Sequence, residues 1–312
     1  MKQEDYFRLV EICRRYYEKE QTQAEIAKAF SISRPAVSKL LSEARQLGIV
    51  RIEIRSIYEN DDYLLDELKR VFGLKGGLIV PTGAAEESLN RQMIVSQAAD
   101  YLAKLLPDIE KWGVGWGETV RDVINELEIQ DQVAGKEQCV CPVIGSAPTA
   151  MQWMQTNELA RILAEKLKSK PYYLHAPAFP VSESDKNLFM GTDEYRQVSE
   201  IWSGLDAVLL GIGSYPTVPD QATAARFGNI LHERKAVGVL ASYYYDTNGN
   251  FIDSPTDFAV RIPLDCLRSA KRVIVVSGRN KKVRALLGGL KSGLISHLIT
   301  DDTTARELIR LI

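Results

Sequence analysis

The sequence predicts an α/β protein in two parts: an N-terminal winged helix-turn-helix, residues 1–57, and an open, mostly parallel α/β sheet, residues 58–312. Three observations carry this. Residues 22–41, TQAEIAKAFSISRPAVSKLL, read as helix, tight turn, helix. Residues 49–55, IVRIEIR, alternate apolar and charged, the period-two mark of a half-exposed strand. Beyond them, short apolar runs alternate with amphipathic helical stretches over a chain of 312 residues, too long for one small domain.

In chain order, residues 6–18 form a first helix with Tyr6, Leu9, Val10, Cys13 and Tyr17 on one stripe. Thr22, with Glu25 three positions on, is a capping box, and Ile26, Ala27 and Phe30 then recur at helical spacing. Ile32 plugs the turn. Ser31 stands where such turns usually carry glycine, so a positive φ there would be strained. Ser33 is an N-cap with Pro35 in the first turn behind it, and Val37, Leu40 and Leu41 face inward. That leaves Arg34, Ser38 and Lys39 outside, near the helix end that enters a major groove. An ordinary helical hairpin would share the amphipathicity, but not the agreement of cap, small crossing residue, plug and basic outer face. The residues assigned to DNA are Thr22, Gln23, Ser33, Arg34, Pro35, Ser38, Lys39 and Arg45; Arg51 and Arg55 on the wing could touch phosphates. Gly48 ends the second helix.

Residues 60–72 are a linker helix whose leucine stripe suits pairing with a twin or packing on its own body. The body then reads as strand 78–80, helix 88–106, strand and glycine turn 112–120, strand 139–144, helix 156–168, strand 172–176, helix 194–202, strand 207–212, strand 236–245, strand 272–276, helix 281–291, strand 298–299 and helix 304–311. The run AVLLGI at 207–212 is apolar throughout, as a strand covered on both faces must be.

Net charge is −2, but residues 1–57 hold 11 Lys and Arg against 8 Asp and Glu, leaving the body about −5. A mildly basic head on an acidic body fits a DNA-binding domain carried by a ligand domain. Cys13, Cys139, Cys141 and Cys266 follow no zinc or disulfide pattern and read as buried free thiols of a reducing compartment. Without a signal peptide or a long apolar run, a cytoplasmic protein with no membrane span is expected.

Ligands of open parallel sheets sit at the C-terminal strand ends. Three loops there have the right composition: residues 115–119 (GWGET), where glycines let amides approach an anion at a helix N-terminus; residues 211–214 (GIGS); and residues 277–282 (SGRNKK), whose cations sit where a helix dipole disfavours them.

Taken together, GVGWGETV, NELARILAEKL, YYLHAPAF, LDAVLLGIGS, YYYDTNGNFI and VVSGRNKKVRALLGGLKSGLISHLITDDTTARELI, with ISRPAVSKLLSEARQLGIVRI in the head, resemble the SorC family of bacterial transcriptional regulators across essentially the whole chain. The resemblance implies a Rossmann-like effector domain of the sugar-phosphate isomerase/deaminase type. It also implies a homotetramer, double-stranded operator DNA of a sugar-utilisation operon as partner, and a small phosphorylated sugar as effector; no cofactor and no metal are expected. Carried over by motif, Gly117, Glu118 and Thr119 belong to the phosphate loop beside Gly115, and Gly145 and Ser146 to the loop after the next strand. Asn157 begins the following helix, Gly211, Gly213 and Ser214 form the third loop, and Lys282 faces the phosphate. Two positions depart. Val239 follows Gly238 where many members have an acid for sugar hydroxyls, implying a less polar or differently oriented guest, and Val143 and Ile144 stand where some members carry an imine-forming lysine.

An isomerase or deaminase on the same fold would need a positioned acid/base pair. GIGSYPT supplies neither carboxylate nor histidine, and His175, His232 and His297 lie in unrelated segments, so no enzyme is expected; His175 could touch the ligand or serve structure.

Overall fold

The computed structural model describes residues 3–50, 62–82, 86–129, 138–146, 155–216, 225–278 and 280–312. Two compact units divide the chain, Met1–Ile57 and Tyr58–Ile312.

In the first unit, α1 (Gln3–Tyr17), α2 (Gln23–Ala29) and α3 (Arg34–Gln46) pack around Leu9, Ile12, Cys13, Ile26, Val37 and Ala44. The stripe of α1 is rotated from expectation: Ile12 is fully buried and Tyr6 is exposed. Ile32 and Leu40 are half-buried and pack against this cluster from its margin. Both expected caps form. The Thr22 hydroxyl accepts from the Glu25 amide while Glu25 accepts from the Thr22 amide, and Ser33 Oγ accepts from the Ala36 amide.

α2 and α3 end in the same way. Gly48, at φ 68°, donates to Arg45 O and Ile49 to Ala44 O; Ser31, at φ 54°, donates to Lys28 O and Ile32 to Ala27 O. These are two Schellman turns, and the left-handed position of the inter-helix turn is filled by serine. Ile49 and Val50 form a bend rather than a strand, and the rest of the wing, with Arg51 and Arg55, lies outside the described residues.

The second unit opens with α4 (Asp62–Phe72), whose Leu64 and Leu68 are buried in the body's own core. There follow β1 (Gly76–Val80), α5 (Glu87–Leu105), β2 (Lys111–Val114), α6 (Glu118–Glu126), β3 (Cys139–Pro142), α7 (Thr156–Lys166), β4 (Lys170–Pro171), α8 (Glu183–Met190) and α9 (Asp193–Trp202). Next come β5 (Ala207–Leu210), β6 (Gly213–Ser214), α10 (Ile230–Glu233), β7 (Gly238–Leu240), β8 (Tyr243–Tyr245) and α11 (Leu264–Ser269). The chain closes with β9 (Arg272–Val276), a 3₁₀ turn (Asn280–Lys282), α12 (Val283–Lys291), β10 (His297–Asp301) and α13 (Asp302–Arg310).

Among the described residues seven strands form one parallel sheet, in the order β1-β10-β9-β5-β2-β3-β4. Strand side chains alternate between two apolar layers: Val208 and Leu210 join the core that includes α4, α9, α12 and α13, and Ala207 and Leu209 join that of α5, α6 and α7. Burial on both faces is why β5 and β9 read as unbroken apolar runs.

Two expectations fail locally, and three short helices go unforeseen. Residues 172–176 are not a strand. β4 pairs with β3 only at Lys170 and Pro171; beyond the Tyr172 amide, which still donates to Val140 O, the Leu174 amide donates to the Asn157 side chain, and Ala176 and Ala178 bond to the Ser146 backbone. Residues 236–245 are a hairpin, β7 and β8 reversing at Ala241 (φ 45°) and Ser242 (φ 67°), and with β6 they form a separate antiparallel sheet. α8, α10 and α11 are short helices that carry too few turns for a periodic signal.

Candidate functional site

On the first unit, Thr22, Ser33, Arg34, Pro35, Ser38, Lys39 and Arg45 are exposed and Gln23 is half-buried. The hydroxyls of Thr22 and Ser33 are engaged as caps, so these two fix the helix ends. Arg34 and Ser38, one helical turn apart on α3, with Lys39 next to Ser38, form a basic and hydroxylic outer face against the buried Val37 and Leu41.

In the second unit the sheet has its switch point between β2 and β5. From β2 the chain proceeds outward to β3 and β4; from β5 it proceeds the other way to β9. The crevice outside such a pair is where open α/β sheets bind ligands, and two glycine loops flank it here. Gly115 donates to Leu209 O at 3.0 Å, and a Cβ on it would lie 2.7 Å from Leu210. Gly117 is the N-cap of α6 at φ 128°, ψ 155°, a conformation open to glycine, and no side chain among the described residues caps the helix. The first-turn amides of α6, including those of Glu118 and Thr119, therefore have no intrahelical acceptor. Gly211 approaches Val120 of α6, and Gly213 and Ser214 form β6. Lys282 is half-buried, and its Nζ donates to Ile212 O at 2.8 Å, which ties the third loop to the second. Ser277, at the end of β9, has a buried hydroxyl with no hydrogen-bond partner among the described residues.

The remaining candidates are used differently. The Glu118 carboxylate bonds Arg91 Nη1 of α5 at 3.0 Å, so only its amide is available to an anion. Both amide atoms of Asn157 are taken by the Leu174 backbone, at 2.9 and 3.2 Å, which makes it a brace for the segment after β4. Gly145 is buried, donates to Val260 O at 2.9 Å, and a Cβ there would sit 2.5 Å from Ala176 O. Its glycine is demanded by close backbone packing, while Ser146 is clasped by Ala176 O and the Ala178 amide. Arg279 lies outside the described residues.

Sequence reasoning missed Arg91, which a lone arginine on a long helix does not advertise. It also missed a cluster in which Arg226 and Arg261 each bond Asp257 at 2.7 Å and both reach Ser242 O. Arg226 stacks on Phe179, which meets Trp116 of the α6 loop edge-on at 5.9 Å. The two arginines hold Asp257 below the usual carboxylate range despite its burial. Val239 lies opposite Gly213 and packs among Phe227, Leu231 and Tyr244, so an apolar side chain borders the glycine loop. His175 bonds Glu194 of α9 at 2.7 Å on an exposed face. Among the described residues no cluster suited to a metal occurs, and no helix is long and apolar enough to cross a membrane. All four cysteines are free; Cys13 and Cys141 are buried, Cys139 and Cys266 half-buried.

Residues 57–310 match the family described as "Putative sugar-binding domain". The chain is 30% identical to the sorbitol operon regulator of Klebsiella pneumoniae, covering 99% of this chain and 100% of that protein. It is 28% identical to the deoxyribonucleoside regulator of Bacillus subtilis, covering 96% of each. Among solved structures, the full-length sorbitol operon regulator SorC from Klebsiella pneumoniae superposes with a TM-score of 0.77 at 29% identity, covering 98% of this chain and 99% of that one. With a helix-turn-helix in the first unit and a strand-end crevice in the second, the chain belongs to the SorC family of transcriptional regulators and works in carbohydrate-related transcriptional control.

Proposed function

We propose that this regulator binds double-stranded operator DNA through α3 and responds to a small phosphorylated sugar held at the switch point of the sheet. The observation that carries the effector assignment is the convergence of the uncapped first turn of α6, the loop at residues 211–214 and Lys282 on one crevice. Free amides at the positive end of a helix, beside an ammonium group, suit a phosphate. The names of the sorbitol and deoxyribonucleoside regulators support a sugar as the rest of the molecule. Across residues 115–119, 145–146, 211–214 and 280–282 the one carboxylate is Glu118, engaged by Arg91, and there is no histidine. That supports binding without turnover.

Arg34, Ser38 and Lys39 read or position the DNA, with Thr22, Gln23, Ser33, Pro35 and Arg45 framing the contact. A symmetric homotetramer, two dimers each spanning a pair of half-sites, is the proposed working form in the cytoplasm. The effector shifts DNA affinity by the difference in its own affinity for the two quaternary states.

The test is a gel-shift titration of operator DNA against a panel of sugar phosphates, preceded by a thermal-shift screen of the same panel. A sugar phosphate should raise the melting temperature and change operator affinity, and Lys282→Ala should abolish that response with DNA binding intact. A full response in Lys282→Ala refutes the site; conversion of any sugar phosphate to product refutes the absence of catalysis.

A further inference from the structure

We infer that Arg91 is a charge-balancing, positioning residue of the effector site: it neutralises and holds aside the Glu118 carboxylate so that a phosphate can occupy the first turn of α6. This rests on the reading that α6 receives the effector's phosphate.

Glu118 is the first residue of α6. A carboxylate there interacts favourably with the helix's positive end, as a phosphate would, so the two compete for one potential and repel each other. Arg91 comes from a different helix, α5, and its side chain is 27% exposed. Its fork bridges two carboxylates one turn apart on α6, with Nη1 3.0 Å from Glu118 and Nη2 2.5 Å from Asp122.

The two carboxylates are not equally dependent on it. Asp122 also accepts from Arg121 Nε at 2.8 Å, whereas Glu118 has Arg91 as its one cationic partner among the described residues. Removing Arg91 therefore leaves Asp122 neutralised and Glu118 bare in the turn a phosphate must enter. The charge that Arg91 supplies is felt through Glu118, so deleting the carboxylate together with the arginine should give the site back its affinity.

The experiment uses the full chain and inorganic phosphate as probe. Melting temperature is followed against phosphate concentration, with sodium chloride at equal ionic strength as reference, for wild type, Arg91→Gln, Arg91→Lys, Glu118→Gln and the double variant Arg91→Gln/Glu118→Gln. Wild type should be stabilised by phosphate, with affinity about tenfold weaker in Arg91→Gln and restored to within about threefold in the double variant and in Arg91→Lys. Glu118→Gln alone should bind at least as well as wild type. Unchanged affinity in Arg91→Gln overturns the inference. So does a double variant as weak as Arg91→Gln, which would make Arg91 a structural brace, and so does a loss in Glu118→Gln. A wild type that phosphate does not stabilise removes the underlying α6 reading itself.

Discussion

Replacing Gly145 by alanine separates two reasons for a glycine in a strand-end loop. If the residue is there to let a ligand approach, the protein should stay as stable and lose its effector. The geometry argues otherwise. The new Cβ would lie 2.5 Å from Ala176 O, 2.9 Å from Pro177 C and 3.0 Å from Ala178 N. Carbon–oxygen contacts are normally about 3.3 Å or longer, so the two backbones must part by about 0.8 Å. That movement acts on the bonds from the Gly145 amide to Val260 O at 2.9 Å, the Ser146 amide to Ala176 O at 2.8 Å, and the Ala178 amide to Ser146 O at 2.8 Å. Overpacking costs about 1–3 kcal/mol and each weakened hydrogen bond up to about 1 kcal/mol, so the loss should be about 2–4 kcal/mol. For a domain of this size that is a fall in melting temperature of roughly 5–15 °C, read by a calorimetric scan of the full chain. A melting temperature within about 1 °C of wild type, with sugar-phosphate binding gone, would refute the packing account and return Gly145 to the ligand.

Ser31→Gly should stabilise the helix-turn-helix by about 0.5–1 kcal/mol, because a left-handed serine costs about 1–2 kcal/mol and glycine returns part of that as unfolded-chain entropy. Native-state hydrogen exchange at the Ile32 amide, bonded to Ala27 O, should slow about two- to fivefold; faster exchange would count against it. Arg34→Ala should weaken operator binding and lower the slope of log affinity against log salt by about one; an unchanged slope excludes a phosphate contact. His297 is buried beside Arg272 and Lys75, and burial holds its pKa down to about 4. The unfolded chain takes up a proton near pH 6.5 that the folded chain refuses. The His297 contribution is thus complete above pH 6.5 and lost at about 1.4 kcal/mol per unit as pH falls from there to about 4. Urea midpoints at pH 7 and pH 5 should differ less in His297→Gln than in wild type; an equal difference would refute the assignment.

Much of this protein is written in local pattern. The caps at Thr22 and Ser33, the left-handed turn at Ser31, the alternation of strand and helix and the glycine loops at residues 115–117 and 211–213 follow from the chemistry of near neighbours, so the sequence alone determined the helix-turn-helix and the parallel α/β class. Strand order, and with it the switch point between β2 and β5, depends on contacts about a hundred residues apart, and no local periodicity encodes them. Tertiary structure also decided what polar groups do once packed. Asn157 faces the Leu174 backbone, Gly145 yields to Ala176, Glu118 turns to Arg91, and the hairpin at residues 236–245 takes β6 as its antiparallel neighbour at Val239 and Gly238. A side chain's type limits what it can bind, but its partner is set by whichever distant segment the fold brings within hydrogen-bonding reach.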